Sequence, residues 1–391
     1  MAFAWFEIAN IEEVPSPALL VYSARVEENI RRMIAIAGGV ERLRPHMKTN
    51  KLPEVIRLQL ARGITKFKCA TIAEAEMTAG CGAPDVLLAY QPVGPNVKRF
   101  VELTRAFPKT KFSVIADEAE IIRALSGAAS KTLHPAFGHP LPSSDEGRGQ
   151  GEGCSSALEV MLDIDCGLHR TGVEPGPKAV ELYRLIASLP GLAPGGLHVY
   201  DGHLHDKDLI DRKAKCDDAF APVVKLIAEL KQAGLPVPTV VAGGTPTFPI
   251  HAKRPDVECS PGTCVFWDAG YATKLPDMDF LPAALVLTRV VSKLGANRLC
   301  LDLGHKAIAS ENPHPRVQFL NLPDAKAVMH SEEHLVVETS RAAQFAVGDC
   351  LYGIPWHICP TVALHSEAIA IENGQAVARW KIVARERRIT I

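Results

Sequence analysis

Lys48 stands in the run Arg44-Pro45-His46-Met47-Lys48-Thr49-Asn50-Lys51, directly after a short strand pattern. A lysine held among the walls of a packed strand end can lose basicity and act as a nucleophilic amine, as in Schiff-base chemistry. The plain alternative is a surface lysine. A second run, Asp163-Ile164-Asp165-Cys166-Gly167-Leu168-His169-Arg170-Thr171-Gly172, follows an apolar strand and contains the spacing D-x-G-x-x-R-x-G. Taken alone, this run is explained better by a Gly-rich turn with a structural Arg–Asp pair. In the third run, Gly196 to Asp206, strand alternation puts His198 and Tyr200 on one face. His203 and His205 follow on a loop, where an imidazole can exchange a proton with a substrate hydroxyl. Their His-x-His-x-Asp spacing also suits metal ligation. Gly243-Gly244-Thr245 and Ser260-Pro261-Gly262-Thr263 are turns whose backbone N–H groups could admit a phosphate. Finally, in extended chain, His357 and Cys359 of His357-Ile358-Cys359 share a face and can present imidazole and thiolate to one ion. The alternative is a buried cysteine beside a polar histidine.

The elements that position these residues alternate. Strand patterns fall at 18–22, 42–46, 66–70, 85–90, 111–116, 157–164, 192–199 and 239–242. Helical patterns at 26–37, 53–61, 72–80, 96–106 and 211–233 lie between them. Strands recurring with one intervening helix mean parallel units, and about eight of them suggest a (β/α)8 barrel. An open doubly wound sheet is the structural runner-up, weakened by the lack of G-x-G-x-x-G after the first strand. Beyond about residue 275, β-rich runs at 283–291, 298–303, 335–339, 351–354, 368–371 and 376–383 read as a mainly antiparallel domain. The expected boundaries are a barrel at 15–270 and a β-rich domain from 1–14 and 271–391. The Pro/Gly/Ser-rich stretch 134–156 has almost no apolar residue and reads as a flexible surface insertion.

The 391 residues carry 43 Lys+Arg against 44 Asp+Glu, a net charge of −1 that offers no footprint for nucleic acid. No apolar run is long enough to span a bilayer, and no secretory signal pattern opens the chain. A cytoplasmic protein with no membrane partner is expected. Ten scattered cysteines without a C-x-x-C pair read as reduced thiols. No G-x-S-x-G elbow is present for a serine hydrolase.

Taken in order, the runs resemble the motifs of the fold-type III pyridoxal-phosphate enzymes, the alanine racemase-like barrels. RPHMKTNK at 44–51 is similar to the version in D-threonine aldolases and in D-serine and D-3-hydroxyaspartate dehydratases. The likeness covers nearly the whole chain. It implies a pyridoxal-phosphate-binding (β/α)8 barrel with Lys48 as the Schiff-base lysine. It also implies Arg170 against the cofactor's phenolic oxygen, Tyr200 at its ring, and Gly243, Gly244, Thr245, Gly262 and Thr263 at its phosphate. His203 is the implied acid–base group, with His205 as competitor. His357 and Cys359 would hold a divalent metal, where D-threonine aldolases carry Asp in place of Cys359. The thiolate favours zinc, with Mn2+ or Mg2+ as alternatives. The implied activity is a lyase acting on D-3-hydroxy amino acids, with D-threonine aldolase leading. A D-serine or D-3-hydroxyaspartate dehydratase is the alternative, ahead of an amino-acid racemase and a non-catalytic pyridoxal-phosphate-binding protein. A homodimer is expected on the same analogy.

Overall fold

The computed structural model describes residues 4–130 and 157–391. The stretch 134–156 therefore lies outside the described residues. Strand β1 (Ala18–Tyr22) is buried along its whole length. Leu19 and Val21 face the large core, and Ala18, Leu20 and Tyr22 face a second cluster with Leu285 and Tyr352. A two-residue alternation between two apolar layers suits a central strand.

Seven parallel strands follow: β2 (Lys66–Cys69), β3 (Asp85–Leu88), β4 (Lys111–Ala116), β5 (Leu158–Ile164), β6 (Leu192–Val199), β7 (Val240–Ala242) and β8 (Glu258–Cys259). Each pairs with the next in sequence order, with a helix between most of them. Residues 43–46 close the ring, since Leu43 bridges Cys259 and His46 bridges Lys68, both in parallel. The (β/α)8 expectation holds, with two corrections. The run at 42–46 is not a regular strand: residues Val40–Arg42 form a 3-10 turn, and Pro45 has no N–H to give a ladder. The run at 18–22 is not a barrel strand, and the short β8, absent from the expected set, takes its place.

The second sheet contains β9 (Ala284–Leu294), β10 (Arg298–Leu301), β11 (Val317–Phe319), β12 (Lys326–His330), β13 (Leu335–Glu338), β14 (Cys350–Pro355), β15 (Glu367–Glu372) and β16 (Gln375–Lys381). Its order is β12-β13-β10-β9-β1-β15-β16, with β14 also on β9 and β11 on β14. Only β1 and β15 pair in parallel. Thus β1 belongs here, between β9 and β15. Among the described residues no helix is long and apolar enough to cross a membrane.

At the N-terminal end of the barrel lumen, Arg44 is 4% exposed. It binds Asp85 at 2.6 Å and Glu258 at 2.7 Å, so it ties the closing segment to the starts of β3 and β8. Arg44→Met leaves Asp85 without its cation and Glu258 with Lys66 alone. Breaking such a pair from one side costs about 3 kcal/mol. A clearly lower urea midpoint for the variant is the expected result, and an unchanged midpoint would show that the seam does not depend on this pairing.

Candidate active site

The C-terminal end of the barrel gathers the expected residues from separate strands. Lys48 follows the closing segment and is half-buried. Its N–H donates to His46 Nδ1 at 3.3 Å. Burial, then the charges of Lys48 and Lys68, push the His46 pKa well below its ordinary value and keep the ring neutral. Three cations surround the Tyr200 ring: Arg170 at 5.0 Å from its centroid, Lys68 at 5.5 Å and Lys48 at 5.7 Å. Among the described residues Arg170 forms no ion pair, so the structural Arg–Asp reading fails. The two aspartates of its run are taken by histidines: Asp163 Oδ1 lies 2.7 Å from His198 Nδ1, and Asp165 Oδ2 lies 3.0 Å from His169 Nδ1. His198 Nε2 is buried and has no hydrogen-bond partner. Such an orphan is costly unless a ligand or water meets it.

The two glycine turns converge. Thr245 Oγ1 accepts N–H bonds from Gly262 at 3.2 Å and Thr263 at 3.1 Å. Gly243 is left-handed, with φ +74°, and a Cβ there would meet the His251 ring at 2.6 Å. At Gly244 a Cβ would meet the Tyr200 ring at 2.9 Å. Only bare backbone fits at these two positions.

His357 and Cys359 do meet, but not in extended chain. His357 is the N-cap of a helix, Ile358–Leu364, and Cys359 lies in its first turn. The helix is docked by Asp268, whose Oδ2 accepts the Ile358 N–H at 3.0 Å and whose Oδ1 accepts that of Tyr271 at 2.9 Å. Burial raises the Asp268 pKa to about 6 against those two donors. Cys359 Sγ lies 3.2 Å from Thr49 Oγ1 and 3.6 Å from Thr263 Oγ1. The pair therefore sits between the residue after Lys48 and the Gly262-Thr263 turn. Burial works to raise the Cys359 thiol, but the hydrogen bond and charge of His357, with Lys48 and Thr49, hold its pKa below the ordinary value. Burial likewise opposes charge on His357. Its contacts with Cys359 and Glu311 prevail and raise it to about 9.

Residues 21–269 match the family model described as alanine racemase, N-terminal domain, and residues 283–371 match a serine dehydratase domain. The chain belongs to the alanine racemase-like, fold-type III pyridoxal-phosphate family. It is 31% identical over 396 residues to D-threo-3-hydroxyaspartate dehydratase of Delftia sp. (strain HT23), covering 94% of this chain and 96% of the relative. It is 29% identical over 390 residues to 3-hydroxy-D-aspartate aldolase of Paracoccus denitrificans (strain Pd 1222), covering 95% and 92%. The crystal structure of D-threonine aldolase from Filomicrobium marinum superposes with a TM-score of 0.84 at 27% identity, covering 98% and 99%. These relatives are lyases, and this fold-type III chain is an enzyme of that class.

Several of its site residues carried no signal in the sequence. Lys68 reads as the polar side of the alternating strand Lys66-Phe67-Lys68-Cys69, yet it is 2% exposed inside the barrel. Glu311, whose Oε1 lies 2.5 Å from His357 Nδ1, comes from a loop 46 residues away. Asp268 was likewise unmarked. His203 packs against Gly167, with a buried Nδ1 that has no partner, whereas His205 is exposed. Neither hydrogen-bonds to Lys48, Tyr200 or the His357–Cys359 pair among the described residues. Asp201, Cys216 and His251 also lie close enough to hold one ion. Hydrogen bonding already satisfies that group: Asp201 binds His251 Nε2 and Thr247 Oγ1, both at 2.8 Å, and Arg254 sits 2.8 Å from His251 Nδ1. All three prospective ligands are thus engaged, with Cys216 Sγ 3.5 Å from His251 Nε2 and 3.7 Å from Asp201 Oδ2, and the group braces the Gly243–Thr247 turn.

Thr245→Val should leave the buried Gly262 and Thr263 N–H groups without an acceptor, a loss of about 1–3 kcal/mol. Thr245→Ser should keep most of the stability. Equal denaturation midpoints for the two variants would remove Thr245 as the link between the turns.

Proposed function

We propose that this enzyme is a pyridoxal-phosphate- and metal-dependent lyase for D-3-hydroxy amino acids, cleaving D-threonine to glycine and acetaldehyde. The observation that carries the reading is the contact of Cys359 with both Thr49 and Thr263, which sets the His–Cys pair beside Lys48 and the glycine turns. The pocket suits the cofactor: it is rich in cations, has an orphaned His198 Nε2, and has backbone where a Cβ would intrude. The His–Cys pair suits a divalent ion. A carboxylate on the far nitrogen of a ligand histidine fixes its tautomer, and Glu311 stands there. The thiolate favours zinc.

In this reading Lys48 would hold the cofactor covalently. Thr245 and Thr263, with the turns at Gly243, Gly244 and Gly262, would surround the phosphate. Arg170 holds the phenolic oxygen, and Tyr200 supports the ring. His357 and Cys359 hold the metal. His203, with a nitrogen free of internal partners, takes the proton of the β-hydroxyl, and the exposed His205 is its competitor. Bound pyridoxal phosphate supplies an electron sink for the pair left when the Cα–Cβ bond breaks. The metal supplies a Lewis acid for the hydroxyl. Family likeness also supports a homodimer.

A second reading, dehydration to a 2-oxo acid and ammonia, is favoured by the cysteine at 359 and by the 31% identity to a dehydratase. Products decide between them. With D-threonine, and L-threonine as stereochemical control, we expect glycine plus acetaldehyde; 2-oxobutanoate plus ammonia selects the second reading. Chelation, His357→Ala and Cys359→Ala should each abolish turnover while the cofactor absorbance stays. Lys48→Ala should lose both. Full activity in a metal-free preparation, or a yellow and active Lys48→Ala, sinks the assignment.

A further inference from the structure

We infer that Lys68 is a second cofactor-contacting amine, whose ammonium neutralises an anionic oxygen of bound pyridoxal phosphate. The inference rests on the cofactor reading above and adds a residue to it. Lys68 sits on β2, the strand that flanks the Lys48 segment. Its carbonyl accepts the Met47 N–H at 2.8 Å, and its own N–H donates to Pro45 at 2.9 Å. Its side chain points into the lumen at the same end as Lys48, and the two ammonium groups approach the same Tyr200 ring.

Lys68 is 2% exposed, yet its ammonium makes no hydrogen bond or ion pair among the described residues. That arrangement is unfavourable. A buried charge is normally paired, because desolvation without a partner costs more than the fold gains from it. The groups that act on it electrostatically are Lys48, Arg44, Asp163 and Asp201, with His46 and His198 also close. Both aspartates are committed elsewhere, Asp163 to His198 and Asp201 to His251 and Thr247. The field at Lys68 therefore mixes two cations with two aspartates whose hydrogen bonds go to other groups. Burial, then the charge of Lys48, lowers its pKa to about 7 despite the two aspartates. An anion entering the pocket would restore the ammonium form and be held by it. Pyridoxal phosphate carries two such anions, the phenolate and the phosphate.

The competing explanation is structural, a cation resting on the Tyr200 ring at 5.5 Å to strengthen the barrel. The two explanations predict opposite effects on the cofactor-free protein. If Lys68 waits for an anion, Lys68→Met relieves an unpaired charge, and the full chain stripped of cofactor should melt higher than wild type. Its affinity for pyridoxal phosphate, read by absorbance titration, should fall about tenfold or more, the loss expected for one charged contact. Titration with pyridoxal, which lacks the phosphate, separates the sources. A matching loss for pyridoxal makes the phenolate the partner, and a loss confined to pyridoxal phosphate makes it the phosphate. Lys68→Gln serves where Lys68→Met does not fold. A folded variant that binds the cofactor as tightly as wild type overturns the inference, whatever its melting temperature. Failure of the underlying reading looks different: the wild-type chain itself would then take up no cofactor.

Discussion

Residues 43–46 close the barrel with a short seam in which Pro45 offers no donor. The seam is held by main-chain bonds from Arg44 to Cys259, from His46 to Pro261, from Met47 to Lys68 and from Lys68 to Pro45. The site depends on this register. Lys48 lies two residues past the last bridge, and Thr49 is the residue that meets Cys359. Because side chains alternate along extended chain, a shift of one residue would turn His46 and Lys68 from one face to the other. The Arg44 guanidinium, inside the lumen and bound to β3 and β8, keeps the register from slipping.

The two ends of that lumen are electrostatic opposites. At the N-terminal end Arg44 and Lys66 meet Asp85 and Glu258, and the charges cancel within the protein. At the C-terminal end Lys48, Lys68 and Arg170 converge while the nearby aspartates are bound to histidines. The floor is neutralised within the protein, whereas at the mouth Lys48, Lys68 and Arg170 have no ion-pair partner among the described residues.

The second sheet contributes what the barrel lacks. Its helix Ile358–Leu364 is docked onto the barrel by Asp268 and by the bond from Gly270 to the Trp356 carbonyl at 3.0 Å. β1 runs through the centre of this sheet and feeds directly into the helix Ser23–Ala37, so the layers share apolar contacts. That common core fixes Cys359 against Thr49 and Thr263, across 310 and 96 residues of sequence.

Local spacing carried much of this protein. Helices at Pro53–Ala61 and Ile72–Gly80 begin and end where the sequence pattern places them, because proline at a first turn and a Thr–Glu capping pair are short-range signals. The alternation of strand and helix likewise announced a barrel, and the ordered lysine, glycine and His–Cys runs resemble those of the family to which the chain belongs. What the sequence could not decide was partnership. Five apolar residues at 18–22 suit either sheet, and only the available edges of β9 and β15 settled the choice. The His–Cys pair suits one ion from extended chain or from a helix start, and Asp268 selected the helix. Lys68 looks like a solvent-facing residue in its strand, since alternation separates two faces without saying which one is wet. In a closed barrel the inner face is buried too, and only closure turned an ordinary polar position into an unpaired charge beside Lys48.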